Sequence, residues 1–157
     1  MEVEVKFPLK NPEQVTTKLN ALAKKDKTNE LQKDTYFELK SKLLRIRESP
    51  SGNFLSYKER IDDISCNSYG TKIRDAEPMK KILSLFGFKQ VRVVEKTRST
   101  WLYHDFEIAL DNVEGLGYFI EIEAQKRIPF LSVLKKIDAE VAEQDYGGYF
   151  KLSNRKS

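Results

Sequence analysis

Charged residues recur at alternate positions in one segment after another: Glu2, Glu4 and Lys6; Arg45 and Arg47; Lys58 and Arg60; Lys72 and Arg74; Lys96 and Arg98; Glu107 and Asp111; Glu121 and Glu123. A spacing of two, or of four for Glu107 and Asp111, places each group on one face of a β-strand. Arginine and lysine walls suit phosphate, whose oxygens accept bidentate, charge-assisted hydrogen bonds. Carboxylate walls suit hard divalent cations such as Mg²⁺ or Mn²⁺. Both walls in one site describe a metal-bound oligophosphate.

The residues between these charges are apolar. Val3, Val5 and Phe7 alternate with the first set, Leu44 and Ile46 with the second, and Ile120 and Ile122 with the last. Period-two alternation predicts strands at Glu2–Phe7, Asp34–Leu39, Leu43–Glu48, Phe54–Ile61, Tyr69–Arg74, Lys89–Leu102, Phe106–Val113 and Tyr118–Ala124. Three stretches have helical spacing instead. Asn11 is placed to cap a helix with Pro12 at its first position, followed by Val15, Leu19 and Leu22 on one face. Pro78 opens a second, carrying Met79, Ile82, Leu83 and Phe86 and ending at Gly87; a third, from near Pro129, stacks Phe130, Leu134, Ile137 and Val141. Each helix needs an apolar surface to cover, and only the Val/Ile/Leu/Phe strand faces supply one. The charged faces then point inward. The prediction is an α+β fold: an eight-stranded antiparallel β-barrel with a charged lumen and helices packed outside. Its lumen would hold nine cations (Lys6, Arg45, Arg47, Lys58, Arg60, Lys72, Arg74, Lys96, Arg98) against six carboxylates (Glu2, Glu4, Glu107, Asp111, Glu121, Glu123). Because the first and last strands meet when a barrel closes, the carboxylates gather on one wall.

A chain of 157 residues is the length of one domain with one core, taken here as residues 1–157. The net charge of +4 is too small to argue for a nucleic-acid protein. No stretch approaches the ~20 apolar residues of a membrane helix. The start, Met1-Glu2-Val3-Glu4, lacks the features of a signal peptide, so the expected location is cytoplasmic. Cys66 is the only cysteine and His104 the only histidine, which excludes an intramolecular disulfide and a thiolate zinc site and argues against a histidine triad. Cys66 is read as an incidental thiol in the Asp62–Ser68 loop, and His104 as a turn residue. The Lys24–Lys27 run is read as a solvated helix end, and Trp101 and Tyr103 as wall packing. Tyr146-Gly147-Gly148-Tyr149 has too few glycines to cradle phosphate.

The first motif, Glu2-x-Glu4-x-Lys6, resembles the ExExK signature of the CYTH superfamily, the triphosphate tunnel metalloenzymes. Further blocks follow in the family's order: Asp34-Thr35-Tyr36-Phe37, Leu44-Arg45-Ile46-Arg47, Tyr57-Lys58, Glu95-Lys96-Thr97-Arg98, and Leu110 to Glu123 with its Gly115-Leu116-Gly117 turn. The pattern is most similar to the class IV adenylyl cyclase branch. The resemblance implies a tunnel binding triphosphate and Mg²⁺ or Mn²⁺, often in a homodimer. By motif, Glu2, Glu4, Asp111, Glu121 and Glu123 would be metal ligands. Lys6, Arg45, Arg47, Lys58, Lys96 and Arg98 would grip phosphates, with Lys72 and Arg74 on a less well matched stretch. Asp34 and Tyr36 match a motif without a derived role. Members often close with a Ser-Tyr-x-x-Leu-Leu-like tail; this sequence ends Asn154-Arg155-Lys156-Ser157 and does not match it.

Two reactions suit such a site. In a cyclase, the 3′-hydroxyl of ATP attacks the α-phosphorus and pyrophosphate leaves. In a triphosphatase acting on tripolyphosphate, thiamine triphosphate or a nucleoside triphosphate, water attacks the terminal phosphorus. Glu2, Glu4 and Lys6 are the candidate catalytic groups, with Lys6 offered as a desolvated proton acceptor. The branch resemblance favours the cyclase. A non-catalytic module for polyphosphate or RNA 5′-triphosphate would keep the basic wall but have little use for the carboxylates.

Overall fold

The computed structural model describes residues 1–142, and the Tyr146–Tyr149 segment and the C-terminal residues lie outside them. Eight strands, β1 (Glu2–Pro8), β2 (Lys24–Leu39), β3 (Lys42–Ser49), β4 (Gly52–Arg60), β5 (Ser65–Ile73), β6 (Lys89–Tyr103), β7 (Phe106–Val113) and β8 (Gly117–Ala124), close into one antiparallel barrel in the order β1-β5-β4-β3-β2-β6-β7-β8. The helices are α1 (Pro12–Leu22), α2 (Ala76–Leu85) and α3 (Phe130–Lys136).

The barrel is apolar outside and charged inside. Val3, Val5 and Phe7 of β1, Ile108 and Leu110 of β7, and Ile120 and Ile122 of β8 form the main core with Val15 and Leu19 of α1 and Phe130, Val133 and Leu134 of α3. Leu83 of α2 covers Phe37 and Ile46 in a second cluster. Burying each such side chain contributes about 1.5–3 kcal/mol, so the outer surface is a main source of the barrel's stability. One inner layer is apolar as well. Val94, Val113 and Phe119, on the inner faces of β6, β7 and β8, pack together with Tyr36 and Leu116, beside the β7–β8 turn.

Several local expectations change. The Lys24–Lys27 run is strand: β2 begins at Lys24 and pairs with β6 from Lys24↔Leu102 onward, with Lys25 5.2 Å from the centre of the Trp101 ring. The ladder satisfies the backbone there, so the absence of an apolar stripe did not signal a helix end. Asn11 makes no side-chain cap on α1; its amide instead donates to the Asp138 carbonyl at 2.8 Å and accepts from the Glu140 amide, tying α1 to the chain beyond α3. The third helix stops at Lys136, and Val141 forms a bridge with Leu9. β5 starts four residues earlier than its alternation suggested, so Cys66 is strand rather than loop. His104 occupies the β6–β7 turn at φ 52°, and Trp101 is fully buried with its indole N–H on Asn20.

Candidate active site

The lumen holds a cavity of about 380 Å³. Its lining includes Glu2, Glu4 and Lys6 of β1, Arg45 and Arg47 of β3, Lys58 and Arg60 of β4, Lys96 and Arg98 of β6, and Glu121 and Glu123 of β8. The structure therefore assembles most of the residues singled out in the sequence. Lys72 and Arg74 are not among them. Strand β5 pairs with β1 only at Glu2↔Cys66 and Val3↔Ser65, then runs past the start of β1. Lys72 keeps the inner parity but is exposed beside Gly52, and Arg74, beyond the end of β5, is exposed and pairs with Asp75 at 2.7 Å.

The carboxylates divide into two groups. Glu2, Glu4 and Glu123 each bring an oxygen within 4.8 Å of the others, a hard three-oxygen donor set that fits a divalent cation. Glu4 and Glu123 are register partners across β1 and β8, so barrel closure itself brings them together. Burial, then the Glu2 carboxylate, push the Glu123 carboxyl up to about 7. The Lys58 ammonium lies on this cluster, bonded to Glu2 and, at 2.6 Å, to Glu4. Asp111 and Glu121 are engaged differently. Lys96 donates to Asp111 at 2.8 Å, and Arg98 holds the same carboxylate through Nε and Nη2, both at 2.7 Å. Glu121 accepts from Arg98 at 3.0 Å and pairs with Lys6 at 2.9 Å. Asp111 thus organises the β6 cations and is not in the three-carboxylate cluster.

Protonation states follow from these contacts. Burial alone would lower the Lys6 ammonium, but Glu121 and Glu4 hold it well above the ordinary lysine range. Lys6 therefore stays charged and is unsuited to accept a proton. Lys96 is the lysine that moves the other way: burial and the neighbouring Arg98 pull it down to about 7, against the attraction of Asp111.

Asp34 is the residue whose role the sequence left open. It is fully buried, and Arg47 clamps it through two parallel bonds of 2.7 Å, with Arg45 at 3.8 Å. Its inward parity on β2 was the available signal. Arg45 also donates to Ser56 at 3.2 Å, and Arg60 reaches the Asp63 carbonyl at 2.8 Å. With Asp34 added and Lys72 and Arg74 removed, the lumen lies much nearer charge balance than the sequence count implied. Glu107 is half-buried, register partner of Glu123 on β7. Cys66 faces inward with its thiol 3.8 Å from Glu2, and burial pushes it up to about 11, so it carries no thiolate.

Comparisons with known proteins agree with this geometry. A Methanocaldococcus jannaschii protein provisionally named an adenylate cyclase is 33% identical over 153 residues, covering 91% of this chain and 86% of its own length. The adenylate cyclase CyaB of Aeromonas hydrophila is 29% identical over 131 residues, covering 77% of this chain and 67% of its own. The solved PH1012 protein of Pyrococcus horikoshii superposes with a TM-score of 0.86 at 28% identity, covering 97% of this chain and 99% of that one. No helix among the described residues is long and apolar enough to cross a membrane. The CYTH domain model matches residues 1–130, and on that match and these likenesses the chain belongs to the CYTH family.

Proposed function

We propose that this chain is a divalent-metal-dependent enzyme acting on triphosphates, and that its reaction is the cyclisation of ATP to cyclic AMP and pyrophosphate. One observation carries the reading: a single cavity in which Arg45, Arg47, Lys96 and Arg98 face the Glu2–Glu4–Glu123 cluster. The names of the two curated relatives support cyclisation. Mg²⁺ or Mn²⁺ held by Glu2, Glu4 and Glu123 would supply Lewis-acid stabilisation of phosphoryl charge and lower the pKa of a nearby hydroxyl.

The protein's own groups do the rest. Arg45 and Arg47 approach from β3 and Lys96 and Arg98 from β6, so a phosphate chain between them meets fixed donors on two sides. Asp34 and Asp111 hold those donors in place, which removes the cost of ordering them when substrate arrives. Lys6 contributes a permanent positive charge. Lys96 is the lysine suited to exchange a proton near neutrality, and substrate charge beside it would return it to the ammonium form.

A second reading, hydrolysis of tripolyphosphate or another triphosphate, has one specific observation in its favour. Among the described residues lining the cavity, Tyr36 is the only aromatic one, and it packs against the Val94, Val113 and Phe119 cluster, so the cavity offers adenine no pair of rings to stack between. Incubation of the pure protein with ATP, tripolyphosphate and thiamine triphosphate, each with Mg²⁺ or Mn²⁺, separates the readings by phosphorus NMR. Cyclic AMP with pyrophosphate supports the cyclase, and orthophosphate release supports hydrolysis. No turnover of any of the three overturns the enzymatic reading.

A further inference from the structure

The Glu2–Glu4–Glu123 cluster has an internal tenant. Lys58 reaches from β4 past the intervening β5 and bonds both Glu2 and Glu4 of β1, two of the three carboxylates that can meet around one cation. Lys58 also lines the cavity in which the arginines await phosphate. Its flexible four-carbon stem leaves the side chain 37% exposed, whereas Lys6 and Lys96 are buried at 8% and 1%. Of the three lysines in the lumen, Lys58 is the one with room to change position.

We propose that Lys58 is an exchangeable counter-cation that links metal binding to triphosphate binding. Resting on the metal reading above, this assigns Lys58 two positions. Without metal it neutralises Glu2 and Glu4, which would otherwise repel each other and Glu123 across the β1–β8 ladder. A divalent cation in that seat takes over the neutralisation and expels the ammonium, because two cations cannot share the same carboxylate oxygens at close range. The released ammonium then turns into the cavity toward the basic wall, where Glu121 is already engaged by Lys6 and Arg98 and an added anion compensates it best. Metal arrival thereby adds one cation to the phosphate site, and phosphate in turn stabilises the state in which metal is seated. The coupling is reciprocal by necessity. Binding metal alone carries the full cost of stranding Lys58, so the lysine selects the metal–triphosphate pair over either component.

The test uses Mn²⁺ alone as the probe, measured by titration calorimetry and by the spin-resonance signal of free Mn²⁺. Wild type is compared with Lys58→Gln, Lys58→Met and Lys58→Arg, each first checked by its thermal melt. The neutral variants should bind Mn²⁺ about tenfold more tightly than wild type. The arginine variant, which keeps the charge and grips two carboxylates better, should bind it more weakly. With Ca²⁺ present the order reverses for tripolyphosphate, which the neutral variants should hold at least about tenfold more weakly than wild type. With chelator and no metal, the same variants should differ from wild type by less than about twofold, since Lys58 is then engaged elsewhere. Equal or weaker Mn²⁺ binding by Lys58→Gln and Lys58→Met overturns the role of Lys58 and leaves the metal site standing. No Mn²⁺ binding by any of the proteins overturns the metal site and this inference together.

Discussion

Arg47 and Asp34 meet side by side, Nε on Oδ1 and Nη2 on Oδ2, both at 2.7 Å, with the carboxylate fully buried. The pair joins β3 to β2 at a register position where the two residues face each other. It converts Arg47 from a spare positive charge into a fixed donor on the cavity wall.

Removing one partner should therefore destabilise the protein. A buried charge that loses its counter-ion costs about 3–5 kcal/mol, equivalent in a domain of this size to a melting-temperature loss of about 6–20 °C, and Arg45 at 3.8 Å offsets only part of it. Arg47→Ala should show that loss in a thermal melt. The charge count from sequence alone pointed the other way, toward relief of repulsion among unpaired cations, because Asp34 had no place in it. An unchanged or raised melting temperature would mean that Asp34 is not neutralised by Arg47.

The same pair predicts a pH dependence. Burial would raise the Asp34 carboxyl, but the hydrogen bonds from Arg47 and the charge of Arg45 overcome it and hold the group at about 2. The folded form binds this proton less readily than the unfolded chain, whose aspartate titrates near 3.8. The stabilisation is thus complete above about pH 4 and disappears as pH falls toward 2. Denaturant melts of wild type and Asp34→Asn should converge over that interval. Parallel curves from pH 5 to 2 would refute it.

Metal affinity should rise with pH. With its carboxyl at about 7, Glu123 is largely protonated at pH 6, and a cation must displace that proton. Mg²⁺ affinity should climb roughly tenfold per unit below pH 7 and level off above it. Folding follows the opposite sign: the raised carboxyl favours the metal-free fold at low pH, and this contribution is lost as pH rises through 7. Calorimetry in buffers of different ionisation heat would detect about one released proton at pH 6. Glu123→Gln should release none and bind the metal weakly.

Phosphate count should govern stabilisation by ligand. A ligand that binds only the folded state adds about 2.7 kcal/mol at a hundredfold its Kd. In a thermal-shift series with Ca²⁺ at fixed ionic strength, tripolyphosphate should raise the melting temperature by several degrees, and AMP by much less. A shift that tracks the nucleoside would replace the tunnel reading with a base-reading pocket.

Position in the lumen, rather than charge alone, should decide which cations matter. Arg45→Ala should weaken tripolyphosphate binding about tenfold or more, since Arg45 lines the cavity. Lys72→Ala and Arg74→Ala should change it by less than about twofold, both being exposed to solvent. Equal effects across the three variants, by calorimetry, would put Lys72 back at the site.

The contrast between Arg45 and Lys72 shows where sequence reasoning stops. Alternation gave the inner face correctly for both, because side-chain direction is a local property of a strand. It carried no information about how far β5 stays beside β1, which depends on strand lengths and on the stagger of a closed barrel. Local patterning also found the inverted polarity, since helices with one apolar stripe need an apolar partner. The engagement of Asp111 by Lys96 and Arg98 was out of reach: it joins two strands, and competing carboxylates looked equivalent in sequence. Sequence reasoning likewise picked Lys6 as the proton acceptor and gave Lys96 only a phosphate-binding role. Their opposite protonation tendencies come from Glu121, which β8 brings to Lys6, and from the burial of Lys96 beside Arg98 on its own strand, and neither Glu121's approach nor that burial is written in the local pattern.

The register of β1 against β8 also bears on how the molecule comes into being. Glu4 faces Glu123 across a sequence interval that spans most of the chain, so the three-carboxylate cluster does not exist until β8 has been synthesised and docked. Such long-range pairing is a slow step in folding, and here it presses like charges together as it completes. Until that step is finished, a nascent chain has no closed lumen, and the cavity proposed to hold metal and triphosphate exists only in the finished cylinder.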